Sequence, residues 1–356
     1  MQNSLFSNSG DVDPGSSGKV GTSGAKVLAA PLDAAHQALA EVLRPQLRLG
    51  TSSWNYAGWT GKIWDRDYSE ALLSKHGLSA YAQHPLLRTV SLDRGFYRPL
   101  SVGQYTSYAA QVPDDFRFVV KAPSIVTDAL VRGENGRGMQ ANPAFLSPDL
   151  AVREFVQPAL DGLKHKLGAL VFQLSPLPMP MLERLPAVLE RLRSMLRVMP
   201  RLQPIAPDGV LAVEVRDPEF LMPAWAPDFA RLLGEAGATC CLGLHAKMPP
   251  IVGQLPMLRA LWPGPLVCRW NLHRRHGIYG YEEAKQLYAP FDHMVDPDVE
   301  TRLNLARVID GTTAAGHCTY ITISNKAEGC APLSVVALAE AVREQRRTSS
   351  TTRHAN

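Results

Sequence analysis

Hydrophobic and polar positions change rhythm repeatedly after residue 46. Short apolar runs rich in Val, Leu, Ile and aromatics read "LRLGTS" (47–52), "LRTVSL" (87–92), "FRFVVKA" (116–122) and "GALVFQL" (168–174), then "LAVEVR" (211–216), "ATCCLGL" (238–244), "PLVCRWN" (265–271) and "TYITIS" (319–324). Between them lie stretches with helical spacing, such as 182–196 and 300–315, and a last one follows at 332–345. Near-continuous apolar strands separated by helices predict a parallel sheet covered on its faces. Eight such units over about 300 residues fit one closed (β/α)8 barrel, a TIM-type α/β fold. The competing open, doubly wound sheet carries a glycine-rich dinucleotide turn after its first strand, which "GTSSWNYAGW" does not match.

Side chains alternate across a strand, so residues two apart share a face. In the fifth run, Leu211, Val213 and Val215 then face the helices, and Ala212, Glu214 and Arg216 point into the barrel, with the charges at the C-terminal mouth, where such barrels place their chemistry. The plainer alternative is a salt bridge plugging the barrel, a poor source of stability. The same parity sends Ser91 and Asp93, Val119 and Lys121, Val171 and Gln173, Gly243 and His245, Arg269 and Asn271, and Thr322 and Ser324 inward, with Asn325 and Lys326 following. Three or four cations against Asp93 and Glu214 suit an anionic ligand held beside a carboxylate.

Composition adds limits. With 356 residues and 46% hydrophobic content the chain can bury a large core, and its net charge of +4 is spread without a basic block. That permits an anionic substrate and gives nucleic acid little support. The five cysteines contain no Cys-x-x-Cys pair, and adjacent Cys240 and Cys241 point to opposite faces; reduced, buried cysteines in a cytoplasmic protein are expected, not a disulfide frame or zinc site. No apolar run approaches the ~18 residues that span a bilayer. Residues 1–45 read as a Gly/Ser-rich tail with a short leading helix (32–43), residues 46–345 as the barrel, and 346–356 as a second disordered tail.

The loop after the first strand gathers Trp54, Tyr56, Trp59 and Trp64, with Gly58 and Gly61 to turn it. Such rings either stack on sugars or bases at the mouth or close a small core of their own. Asp93, Glu214, His245 and His273 are the candidate metal ligands, but Lys121, Arg216 and Arg269 would repel a divalent cation, so no metal is expected. Lys121 can form a Schiff base if desolvated among cations, or clamp a phosphate or carboxylate with Arg216 and Arg269. The "GENGRG" run (133–138) reads as a flexible loop within a long connection, 123–148. A second long connection, 272–299, carries His273, Arg274, His276, Tyr279 and Tyr281.

Several of these segments resemble one family in order along the chain. "LGTSSWNYAGWTGKIW" (49–64), "GFYRPLS" (95–101), "FRFVVKAP" (116–123), "KLGALVFQLSP" (166–176), "LAVEVRDPEF" (211–220) and "SNKAEGCAPLSVVAL" (324–338) are similar to motifs of the DUF72 (YecE-like) family. The resemblance implies a TIM-type barrel like those of endonuclease IV and xylose isomerase. It implies no activity, since the family has none assigned. The chain departs from the family pattern at "VSLDRGFYR", where Ser91 replaces an acidic residue and Asp93 an amide, at Asp128 in place of a histidine, and at "RWNLHRRHG".

Three functions follow as expectations. The first is an enzyme acting on a small anionic substrate, phosphorylated or carboxylated and sugar-like. Glu214 would be its general base, with Lys121 and Asp93 also catalytic, and Arg216, Arg269, Asn271, Gln173, His245, Tyr97, Trp54, Trp59, Asn325 and Lys326 would contact the substrate. The second is a nucleic-acid-binding or repair protein, resting on barrel analogy, the aromatic loop and basic rim residues such as Arg274 and Arg275. The third is a non-catalytic binding protein using the same pocket. No cofactor, partner subunit or oligomeric state is specified by the residues.

Overall fold

Every one of the eight apolar runs forms a strand, and each strand is buried along nearly its whole length. The computed structural model describes residues 26–132 and 138–354. The expected N-terminal tail up to residue 25 and most of the "GENGRG" loop lie outside the described residues. The strands are β1 (Leu47–Thr51), β2 (Leu87–Leu92), β3 (Arg117–Lys121), β4 (Leu167–Gln173), β5 (Val210–Glu214), β6 (Ala238–Leu244), β7 (Leu266–Trp270) and β8 (Thr319–Ile323). They pair in parallel around a closed ring, with β8 returning to β1. Two short antiparallel strands, Leu130–Arg132 and Gly138–Ala141, stand outside it in the connection after β3.

Parity sorts the strand residues as the sequence predicts. Leu211, Val213 and Val215 join the large core between strands and helices, and Ala212 joins a separate interior cluster with Val119, Ala169, Val171, Cys241, Val267 and Tyr320. Cys240 faces the helices and Cys241 the barrel interior. At the N-terminal end Arg117 ion-pairs with Asp208 at 2.8 Å, and the Tyr320 hydroxyl donates to the Asp208 carbonyl, closing that end with satisfied polar groups. The C-terminal end is left to the charged residues.

The helices cover the outer face. Those at Leu185–Arg197 and Val299–Ala314 fall where the 3.6-residue spacing places them. The last helix, Ala331–His354, runs on through 346–354, where the sequence predicts a disordered tail. Once anchored on the barrel, a helix gains one hydrogen bond for each residue it adds, so polar residues can prolong it. No described helix is long and apolar enough to cross a membrane.

Two connections meet above the barrel at Gly58. A Cβ there would sit 1.9 Å from the Pro290 carbonyl oxygen, so only glycine lets the aromatic loop seat against the 272–299 connection. Gly58→Ala should push that connection off. Limited proteolysis should then cut faster within 272–299, and an unchanged cleavage rate would show that the contact does not hold it.

Candidate functional site at the barrel mouth

Strand ends from β2, β4, β5 and β7 bring Asp93, Gln173, Glu214, Arg216 and Arg269 into one hydrogen-bonded cluster. Registry does much of the placing: Gln173 lies opposite Glu214, and Arg269 lies between Gly243 on one side and Thr322 on the other. Gly243 leaves room for its neighbour, since a Cβ there would come within 3.3 Å of the Glu214 side chain. No polar pattern marks Gly243 in the sequence.

Arg269 is the centre of the cluster. Its Nη1 donates to Glu214 Oε2 at 2.7 Å and to Gln173 Oε1 at 2.8 Å, and its Nη2 donates to Asp93 Oδ2 at 2.6 Å. Asp93 Oδ1 accepts from the Ser91 hydroxyl at 2.6 Å, so the residue pair that departs from the family motif is used as a unit. Arg216 Nη2 donates to Gln173 Oε1 at 2.9 Å and lies 2.8 Å from Glu214 Oε1, close enough for an ion pair but off the hydrogen-bond line. Arg216 Nε and Nη1 are buried and have no hydrogen-bond partner among the described residues.

Glu214 is fully buried. Burial alone would raise its proton affinity, but Arg216 and Arg269 outweigh it, and the carboxyl is held below its usual range. Asp93 is the carboxylate nearer solvent, with 29% of its side chain exposed. His245 Nδ1 accepts from the Lys247 backbone, and burial with the Arg216 charge pushes its pKa down to about 4, so it is neutral at pH 7.

Two lysines follow from the strand ends, Lys121 beside the cluster and Lys326 against the 272–299 connection. Lys121, half-buried at the end of β3, sets its Nζ 3.6 Å from the Phe96 ring centroid and has no acceptor among the described residues. Lys326 is buried, with Nζ 4.4 Å from the Tyr281 ring centroid and 5.7 Å from that of Phe291. Burial lowers both pKa values from 10.5 to about 8; Arg269 and Arg216 add to the effect at Lys121, where Asp93 opposes it. Tyr281 belongs to the same mouth, its phenol pushed up by burial, Tyr56 and Asp93 against the pull of Arg216. Phe96 and Tyr281 are functional candidates the strand parity misses, because both lie on connections.

The folded state disfavours the charged form of both lysines, so they cost stability at neutral pH. The cost is full below about pH 8 and fades as pH rises towards 10.5, where the unfolded chain also loses these protons. Lys121→Met should therefore gain stability relative to wild type at pH 7 and lose that advantage by pH 10. Urea unfolding at the two pH values checks this; a pH-independent difference would contradict the assigned burial cost.

The other candidates have separate placements. Trp59 is fully buried, packed on Tyr56, Trp64 and Tyr81, and its Nε1 donates to Asn325 Oδ1 at 3.2 Å. Asn325 Oδ1 also accepts from Ala331 N, so this side chain ties the aromatic loop to the last helix. Trp54 is 3% exposed beside Tyr108, with the Arg94 guanidinium 5.7 Å from its ring. Both indoles thus pack into the core between strands and helices instead of standing open at the mouth. Asn271 Nδ2 donates to the Arg269 carbonyl, and Tyr97 is 55% exposed beside Phe96. Of the basic rim, Arg274 donates to the Met248 carbonyl and Arg275 pairs with Asp296. Among the described residues no three His, Cys, Asp or Glu side chains gather as a metal site.

A closed parallel (β/α)8 barrel with a buried cluster of charges at its C-terminal mouth defines the class of this protein. The chain belongs to the DUF72 family, described as proteins of unknown function, with a match over residues 48–356. A DUF72 family protein from Enterococcus faecalis is similar in structure, with a TM-score of 0.53 at 16% identity, covering 83% of this chain and 95% of that one. A DUF72 family protein from Thermotoga maritima covers 85% of this chain and 99% of that one at 18% identity, with a TM-score of 0.44. The first likeness supports the fold alone. No curated protein matches the chain.

Proposed function

We propose that the barrel mouth is the active site of an enzyme acting on a small anionic substrate, phosphorylated or carboxylated and sugar-like. The observation that carries this reading is Arg216, whose Nε and Nη1 are buried without a partner among the described residues. An unmet buried donor costs about 1–3 kcal/mol, and more on a charged group, so a fold that retains two invites an acceptor. Lys121 adds charge beside Arg216, and the carboxylates of Glu214 and Asp93 are already engaged by Arg269. The cluster therefore has cations to spare.

Roles follow from access. Arg216, Lys121 and Lys326 hold the anion. Asp93 and Lys121 are the groups placed to meet substrate and exchange protons. Glu214, sealed behind two guanidiniums, acts as a positioning residue in this geometry instead of the general base expected of it from sequence alone. Its lowered proton affinity makes it a weak base where it stands. Gln173 holds both guanidiniums through one oxygen.

A thermal-shift screen tests the reading. Sugar phosphates and sugar acids should raise the melting temperature, while their neutral parent sugars should not. Equal stabilisation by the neutral sugars, or a response only to single-stranded oligonucleotides, would overturn it.

A further inference from the structure

The amine of Lys121 has a setting that anion binding does not require. A lysine that only clamps a phosphate is normally found with its ammonium hydrated or paired to a carboxylate. Lys121 Nζ has neither a carboxylate in contact nor any acceptor among the described residues, and it sits 3.6 Å from the centroid of the Phe96 ring. It comes from the end of β3, on the inner face, beside the cluster that holds Arg216 and Arg269. Asp93, the accessible carboxylate of that cluster, is engaged by Arg269 at 2.6 Å and by Ser91. An amine held on an aromatic face among fixed cations, with no carboxylate against it, is the arrangement that keeps a nucleophilic lysine unprotonated.

We propose that Lys121 is a covalent catalyst that forms an imine with the carbonyl carbon of an anionic oxo compound, a 2-oxo acid or a phosphorylated ketose. The proposal rests on the anion-binding reading above, with Arg216 holding the carboxylate or phosphate while Lys121 meets the carbonyl. The neutral amine adds its lone pair to the carbonyl carbon, the C=O π pair moves to oxygen, and oxygen takes up a proton. The C–O bond of that carbinolamine then breaks, oxygen leaves as water with a second proton, and the nitrogen lone pair closes the C=N bond. One proton comes from the nitrogen and one from solvent, leaving a protonated imine. That cation draws electrons from the neighbouring carbon and so activates it for bond making or breaking. Burial places the amine's pKa at about 8, so part of it is free base at neutral pH.

The test is reductive trapping on the full-length protein. Pyruvate and dihydroxyacetone phosphate are offered in separate arms, with acetone as the neutral carbonyl, each with sodium cyanoborohydride, and adducts are located by peptide mass spectrometry. The expected result is a single reduced adduct on Lys121 with at least one anionic probe, faster than with acetone by tenfold or more, and lost in Lys121→Arg. The arm that labels tells a carboxylate ligand from a phosphate ligand. In Arg216→Ala the anionic probes should lose their advantage over acetone, each being compared with acetone on the same variant. Equal labelling of Lys121 by acetone and both anions would support the imine and sink the anion clamp. No adduct on Lys121, or adducts spread evenly over surface lysines, would overturn the imine proposal, whether or not anions protect the fold.

Discussion

Arg269→Met is expected to destabilise the folded chain by roughly 3–5 kcal/mol, the range for stranding a buried charge. Arg269 is 2% exposed and is the only guanidinium among the described residues that bridges both mouth carboxylates. Removing it leaves the fully buried Glu214 with an off-line contact to Arg216 alone, and frees Asp93 on the solvent side. The effect is full at pH 7. Glu214 has a lowered folded-state pKa, so its contribution is present above its unfolded value near 4.5 and is lost only as pH falls through the lowered one. Adding Glu214→Gln to Arg269→Met should recover a substantial part of the loss, because no buried carboxylate is then left without its partner. Urea unfolding of the wild type, the two single variants and the double variant, with m-values held equal, reads the coupling directly. A single-variant loss below about 1 kcal/mol, in the range of an exposed pair, would show that the pair is not buried as described.

The barrel was open to reading because each strand carries its information locally. A period of two, apolar on the helix side, fixes which residues point inward. All eight strand bounds fall within a residue or two of the apolar runs, and Ala212 enters the interior as its parity requires. The wiring of the mouth is not local. Arg269 reaches Glu214 across 55 residues and Asp93 across 176, and no spacing rule on one strand reveals which carboxylate it engages. Parity therefore gathers the charges but does not show that Arg269 engages both carboxylates while Arg216 keeps two buried donors without a partner among the described residues. The aromatic loop shows a different limit. Its composition serves ligand stacking and self-packing equally well, and the choice depends on Asn325, more than two hundred and fifty residues away, which accepts from the Trp59 indole. Neighbours on connections are equally hard to assign: Phe96 lies under Lys121, while Tyr97 beside it is 55% exposed.

The unpaired donors of Arg216 carry the account, and sulfate calorimetry at low ionic strength measures them most directly. Sulfate keeps its charge from pH 7 to pH 10, so the protein alone sets any change with pH. Wild-type protein should bind one sulfate saturably, and more weakly at pH 10 than at pH 7 as Lys121 and Lys326 lose their protons. Arg216→Ala removes hydrogen bonds from a charged donor, each contributing about 1.5–3 kcal/mol, so affinity should fall by roughly tenfold to a hundredfold. Arg216→Lys, which keeps the charge but not the planar donor set, should fall between the two. Saturable binding that Arg216→Ala removes or weakens to that degree is the predicted result. Equal sulfate affinity in wild type and Arg216→Ala, or no saturable binding in the wild type, would contradict an anion site at the barrel mouth.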